Sequence, residues 1–199
     1  MYSAMILDTE TTGFDKPQVI ELAYQIISDD LNEVSGGFYC RRFKPSKDIE
    51  EGAFNVHKIS QESLYDEPNS DTLLRHATKV EQSKYIIGHH IKYDIDAINN
   101  SVNKTHNFKT ICTKRLALKV LDSQPSYSLV NLTKSLGVVD QEIIDKAHSA
   151  EADVYMTLKL LQHIASVLNH QTGLVHNLDD LFDICESLDK KNHADYVSA

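Results

Sequence analysis

The chain has 199 residues, enough for one domain with a sizeable core and not comfortably enough for two. Its 41% hydrophobic and 25% charged residues are ordinary for a soluble globular protein, and no apolar run approaches membrane-spanning length. A formal charge of −9 argues against gripping nucleic acid by bulk electrostatics, but not against a locally acidic site whose bound cations meet phosphate.

Three scattered cysteines, Cys40, Cys112 and Cys185, are odd in number and form no CxxC pair. That argues against a disulfide framework or a structural zinc site. The N-terminus starts at once with the apolar stretch Met1–Leu7 and lacks the basic start of a signal peptide, so a cytoplasmic protein is expected.

Ser3–Leu7 reads as a short first strand ending at Asp8. Val19–Ile27 is β-rich and nearly continuous, as for a strand buried on both faces. Asp29–Asn32 supplies turn residues, and Val34–Phe43 returns as a third strand, giving a meander. Lys44–Pro68 is irregular with short helical pieces, and Thr72–Gln82 predicts a helix. Tyr85–Gly88 reads as a buried strand, Asp94–Val102 as a helix, Phe108–Ile111 as a short strand and Lys114–Leu121 as a helix. Ser128–Leu136 is a helix entered from serine and stopped by Gly137. Ser149–Leu168 is the longest, with Ala152, Tyr155, Met156, Leu160 and Ile164 at helical spacing; Leu178–Leu188 is a last helix. The expected fold is α/β: a mixed sheet of about five strands, three in an antiparallel meander and the rest parallel, flanked by helices.

Three places along this pattern carry chemistry. Asp8 and Glu10, at positions i and i+2 of a strand end, point to one face. Such carboxylates repel unless a hard cation such as Mg²⁺ or Mn²⁺ lies between them; two unrelated acids at a solvated strand end are the plainer alternative. Asp94 follows a buried strand that runs through Gly88 into a helix start, where α/β sheets build sites and where a helix-start acid is also favoured by the macrodipole. Asp153 falls near the apolar stripe that continues through Met156, Leu160 and Ile164, with His148 just before the helix. A carboxylate on that stripe needs a partner or a metal; a helix-start acid facing water, with His148 a surface residue, is the plainer alternative.

Together these segments resemble the DnaQ-like DEDDh exonuclease family, of ribonuclease H-like fold. The family pattern is D-x-E-T, then H-N-x-x-F-D, then H-x(4)-D; here the stretches are Asp8–Gly13, His89–Asp94 and His148–Asp153. Phe43-Lys44-Pro45 followed by Ala53–Ile59 looks like the family's "R/K-P … A-x-x-V-H-x-I" segment. The resemblance covers roughly residues 3 to 168. The sequence departs from it at His90, where the family has Asn, and at Tyr93, where it has Phe.

The resemblance implies an exonuclease domain over residues 1–170 and a C-terminal helical tail over 171–199. It implies two divalent ions, Mg²⁺ or Mn²⁺, held by Asp8, Glu10, Asp94 and Asp153, with His148 as the base that activates water. Thr11, Thr12, His57 and His89 are implied substrate contacts. Phe14 is expected either to stack on a terminal base or to pack in the core, and Glu21 to be structural. The remaining histidines, His76, His106, His163, His170, His176 and His193, read as surface or helix-face residues.

The implied activity is 3′→5′ removal of nucleotides from DNA ends, single-stranded or frayed, in repair or proofreading. RNA-end trimming is the alternative within the family, since the motifs are shared. A silent nucleic-acid-binding module is the alternative outside enzymes, and there lost ligands would be expected; all five positions are filled here. Association with a polymerase stays open. Leu178–Phe182 faintly resembles the Leu/Phe peptides that dock into the sliding clamp of replication, although the spacing of Leu178, Leu181, Phe182, Cys185 and Leu188 fits an amphipathic helix better. Lys104, Lys109, Lys114 and Arg115 offer a modest basic rim, a solvated helix face being the commoner reading.

Overall fold

A computed structural model describes residues 2–197, with side chains described for 2–188; the side chain of His193 lies outside the described residues. Five strands form one sheet in the order β3-β2-β1-β4-β5. They are β1 Tyr2–Thr11, β2 Val19–Ile27, β3 Glu33–Arg42, β4 Ser83–Gly88 and β5 Thr110–Cys112. The first three pair antiparallel; β4 and β5 join in parallel. Parallel strands need crossovers, and the helices supply them. The mixed sheet expected from the sequence is the one found.

All nine residues of β2 are buried, as its unbroken apolar run predicts. The β2–β3 turn closes where Asp, Asn and Ser cluster. Ser28 N–H donates to Asn32 O at 3.0 Å, and Asn32 Nδ2 to Asp30 Oδ2 at 2.7 Å.

Several bounds differ from the sequence reading: the longest helix runs on to Thr172, the last to Val197, and the short fifth strand is Thr110–Cys112. Two further differences have a plain physical cause. Strand β1 does not stop at Leu7 but continues to Thr11, with Asp8 opposite Ala23 and Glu10 opposite Glu21, and a bulge follows between Glu10 and Thr11. An apolar-run criterion stops at the first acid, whereas the backbone ladder with β2 does not depend on side-chain polarity. The helix predicted over Thr72–Gln82 breaks into α2, Leu73–His76, and a 3₁₀ turn, Val80–Gln82. Leu73, Ala77 and Val80 still reach the core, so the helical spacing was real but is carried by two short pieces.

The other helices are α1 Glu51–His57, α3 Lys92–Val102, α4 Thr113–Val120, α5 Leu129–Leu136, α6 Gln141–Ile144, α7 Ala150–Thr172 and α8 Leu178–Val197. Helix α7 starts on Ser149, whose side chain accepts from Ala152 N–H, and ends on Gly173 in the left-handed conformation. It packs on β1 and β2, with α4 and α5 alongside. Helix α8 lies on β5 and α4. Its Leu178, Leu181 and Cys185 belong to the same core as the sheet, and the Phe182 ring lies 5.0 Å from that of Tyr85. The Leu178–Phe182 segment is thus spent on the protein's own core, as an amphipathic helix. Among the described residues, no helix is long and apolar enough to cross a membrane.

Candidate active site

Alternation along β1 puts Asp8 and Glu10 on one face of the sheet and Thr9 and Thr11 on the other. Helix α7 presents Asp153 from its first turn to the Asp8–Glu10 face. Oxygens of Asp8, Glu10 and Asp153 all lie within 4.8 Å of one another. Asp94 enters from the start of α3. Its Oδ1 accepts from Thr9 N–H at 3.0 Å and from Thr9 Oγ1 at 2.8 Å, and the residue is 5% exposed. Those bonds hold Asp94 where β1 has run past the end of its pairing with β4 at Ile6.

Gly88 makes this junction possible. A Cβ there would come within 2.9 Å of the Leu7 carbonyl oxygen, so β4 approaches β1 closely just before the chain turns into α3.

The electrostatics are those of crowded like charges. Burial, then the charges of Asp94, Asp153, Glu10 and Glu21, hold the Asp8 carboxyl well above the usual range. Glu10 is pushed up to about 8 by burial and by Asp153, Glu21 and Asp94. Burial pushes Asp94 to about 7 against the opposing Thr9 hydrogen bonds. It pushes Asp153 to about 6, opposed by His148. Every charged group acting on Asp8 and Glu10 is another acid. Arg42 is engaged with Glu21 at 2.9 Å, which makes Glu21 the structural acid expected. An all-oxygen donor set in which, among the described residues, no side-chain cation acts on Asp8 or Glu10 fits a hard divalent metal.

His148 is exposed, with a left-handed φ of 66°. Its backbone N–H donates to Asp153 Oδ1 at 3.3 Å, so the loop that carries the imidazole is tied to the acid cluster. His57 is buried; its Nδ1 accepts from Ile59 N–H at 3.0 Å, which leaves the proton on Nε2, and Nε2 has no partner. Burial lowers its pKa, with the Thr11 backbone acting the other way, so His57 and Thr11 are neighbours. Thr11 Oγ1 lies 2.7 Å from Tyr93 Oη, which donates to Gly13 O at 2.7 Å.

Two implied substrate contacts are occupied inside the fold. Thr12 is fully buried: its N–H donates to Gln18 O at 2.9 Å and its Oγ1 accepts from Gln18 N–H at 3.0 Å. His89 binds Thr113 Oγ1 through Nδ1 at 3.0 Å and Tyr127 O through Nε2 at 2.9 Å. Burial brings it down to about 4, so it is a neutral ring pinning the 121–128 loop. Phe14 is 87% exposed, which removes core packing as its role. Its ring centroid lies 6.2 Å from that of Tyr93.

Glu50 was invisible in the sequence. It accepts from Phe14 N–H at 3.2 Å and Asp15 N–H at 3.4 Å. Nothing in its local pattern distinguishes it from the acids around it; its role shows only in the fold, where Gly13, at a φ of 141°, leaves room for its carboxyl.

Four acids gathered at the end of β1 on a mixed five-stranded sheet, with a histidine at the rim, are the arrangement that the sequence resemblance implies. The chain belongs to the RNase_T exonuclease family, whose model matches residues 5–161. It is 26% identical to DNA polymerase III subunit epsilon of Aquifex aeolicus (strain VF5) over 180 residues, 85% of this chain and 84% of that one. The same subunit of Rickettsia prowazekii (strain Madrid E) is 31% identical over 103 residues, 50% of this chain and 44% of that one. The chain thus spans most of the first relative and less than half of the second. Among solved structures, exonuclease X in complex with 5′ overhanging duplex DNA superposes with a TM-score of 0.68 at 22% identity, covering 90% of this chain and 99% of that one. E. coli exonuclease I in complex with a dT13 oligonucleotide gives 0.72 at 17%, covering 87% and 43%. These two likenesses are likenesses of fold.

Proposed function

We propose that the protein is a divalent-metal-dependent 3′→5′ exodeoxyribonuclease, removing mononucleotides from DNA 3′ ends in proofreading or repair. The observation that carries this reading is the convergence of Asp8, Glu10 and Asp153 within 4.8 Å, with Asp94 beside them. These four would hold two Mg²⁺ or Mn²⁺ ions. Bound there, the ions supply acidified water and charge neutralisation at the scissile phosphate. DNA as the substrate is supported by the names of the relatives, which are DNA polymerase III subunits; a polymerase is accordingly a partner to test.

The chain's own residues divide the remaining work. His148 accepts the proton of the attacking water at a ring nitrogen, as a general base placed at the rim of the acids. The His148 N–H to Asp153 bond fixes where its loop begins. His57 offers its Nε2–H, and Thr11 its backbone, to the terminal nucleotide; Thr11 follows Glu10 on β1, and His57, at the end of α1, neighbours Thr11. Phe14 offers an exposed ring on which a base can stack.

A panel of 5′-labelled single-stranded DNA and RNA oligonucleotides, with and without chelator, tests this. DNA should shorten stepwise from its 3′ end, faster than RNA, and the chelator should stop it. Faster shortening of RNA would move the assignment to an exoribonuclease.

A further inference from the structure

The loop that carries Phe14 has a side facing away from the acids. Thr12 and Gln18 close it with their two hydrogen bonds. Gln18 then reaches to the segment before α1: its Nε2 donates to Ser46 Oγ at 2.9 Å and its Oε1 accepts from Ser46 N–H at 2.8 Å. Lys47 Nζ donates to the carbonyl oxygen of Asp15. Between these two segments and the C-terminal end of α3 runs a groove of about 490 Å³, continuing into another of about 580 Å³. Gln18, Asn100 and Asn103 line both.

The walls carry Lys16, Lys44, Lys47 and Lys104 against Asp15 and Asp71. On a chain of formal charge −9, this is a local reversal of sign. Lys16 and Lys104 are exposed, and neither forms an ion pair with any described acid. Lysines interleaved with side-chain amides are the groups that hold a phosphodiester backbone without reading its bases. Phosphate is also the chemistry already required at the acids.

Position decides which strand. Asp94 to Val102, the end of α3, spans about 12 Å of helical rise, and Lys104 lies two residues further on. The segment Gly13–Lys16 touches both places. Its Gly13 carbonyl is bonded by Tyr93 on the site side, its Lys16 lines the groove, and Phe14 stands out between them, 87% exposed. The groove therefore lies at the opposite end of α3 from Asp94, where the backbone of a strand paired with the cleaved one can run.

We propose that the groove binds the phosphodiester backbone of the second, uncleaved strand of a duplex. The proposal rests on the exonuclease reading for which strand is cleaved, but its binding test does not. The variant is Lys16→Ala/Lys104→Ala, two exposed side chains outside the acid site, with a thermal melt to confirm the fold. The probes are a duplex with a recessed 3′ end and a single strand of the same 3′ sequence. Binding is read by fluorescence anisotropy with Ca²⁺ in place of Mg²⁺, and turnover is read with Mg²⁺.

The variant should lose duplex affinity about tenfold or more, with the slope of log affinity against log salt reduced by about two. Single-strand affinity and kcat/KM should hold within about twofold. Equal losses on both probes would place the cleaved strand in the groove and overturn the proposal, as would no loss on either. If the wild type cleaves neither probe, the exonuclease reading fails, and the anisotropy difference still decides the groove.

Discussion

Burial and four other acids all oppose the ionisation of Asp8. The consequence for stability has a definite sign. Glu10, Asp94 and Asp153 have folded-state pKa values of about 8, 7 and 6, above the about 4 of an unfolded carboxylate. The folded state therefore binds more protons than the unfolded state, and stability falls as pH rises from about 4 to about 8. The metal-free protein should melt at a higher temperature at the acid end of that window than at its alkaline end. Mg²⁺ or Mn²⁺ should raise the melting temperature most at the alkaline end, where the ligands are ionised. Scanning fluorimetry across the window reads both; a metal-free protein that is most stable at pH 8 contradicts the cluster.

Asp8→Asn should lower kcat by at least about a hundredfold, the scale of losing one group that stabilises transition-state charge, yet raise the metal-free melting temperature at pH 8. His148→Ala should lower kcat by about 10²–10⁴ with little change in the melt, because its side chain is exposed and the hydrogen bond to Asp153 comes from its backbone. At this scale the site was largely legible. The spacing of Asp8 and Glu10 and the stripe position of Asp153 both follow from element periodicity. Thr12 and His89 could not be read the same way, since which hydroxyl or ring nitrogen is spent inside the fold depends on contacts with Gln18, Thr113 and Tyr127.

Among the elements, the loop from Thr12 to Gln18 links local backbone strain to substrate geometry. A Cβ on Gly13 would fall 2.0 Å from the Glu50 carboxyl carbon, at a φ of 141°. Gly13→Ala must therefore displace the acid that anchors Phe14 and Asp15. Steady-state kinetics on single-stranded DNA should show KM raised more than kcat is lowered; unchanged kinetics would mean the loop does not touch substrate. Tyr93→Phe restores the residue of the family pattern but removes the bonds to Thr11 and Gly13. It should destabilise the protein by about 1–3 kcal/mol, two hydrogen bonds at about 0.5–1.5 each, as read by denaturant unfolding. Long elements with clear periodicity, β2 and α7, stood out in the sequence. The full length of β1 and the break in Thr72–Gln82 did not, because ladder pairing and tertiary packing set them rather than local pattern.

For the molecule as a whole, the tail is structural. Leu178 and Leu181 are 0% and 1% exposed and share the core with β5 and α4. Ending the chain at Gly173 should reduce stability by about 3–6 kcal/mol, from two fully buried leucines at about 1.5–3 each, visible as a lowered denaturant midpoint. An unchanged midpoint would show that α8 does not dock. The amphipathic spacing announced the helix, whereas the surface it covers became visible only when β5 and α4 were assembled. The acidity of the chain likewise has a spatial order hidden in its net charge of −9: acids gather at the ends of β1 and α7, and lysines around the far end of α3.

The whole account depends on those acids forming one cation pocket. Calorimetric titration of Mn²⁺ into the purified protein at pH 8 measures this directly. Two ions should bind to the wild type, and Asp8→Asn should abolish saturable binding while the protein remains folded. A wild type that takes up no Mn²⁺, or an Asp8→Asn variant that binds it unchanged, would contradict the account.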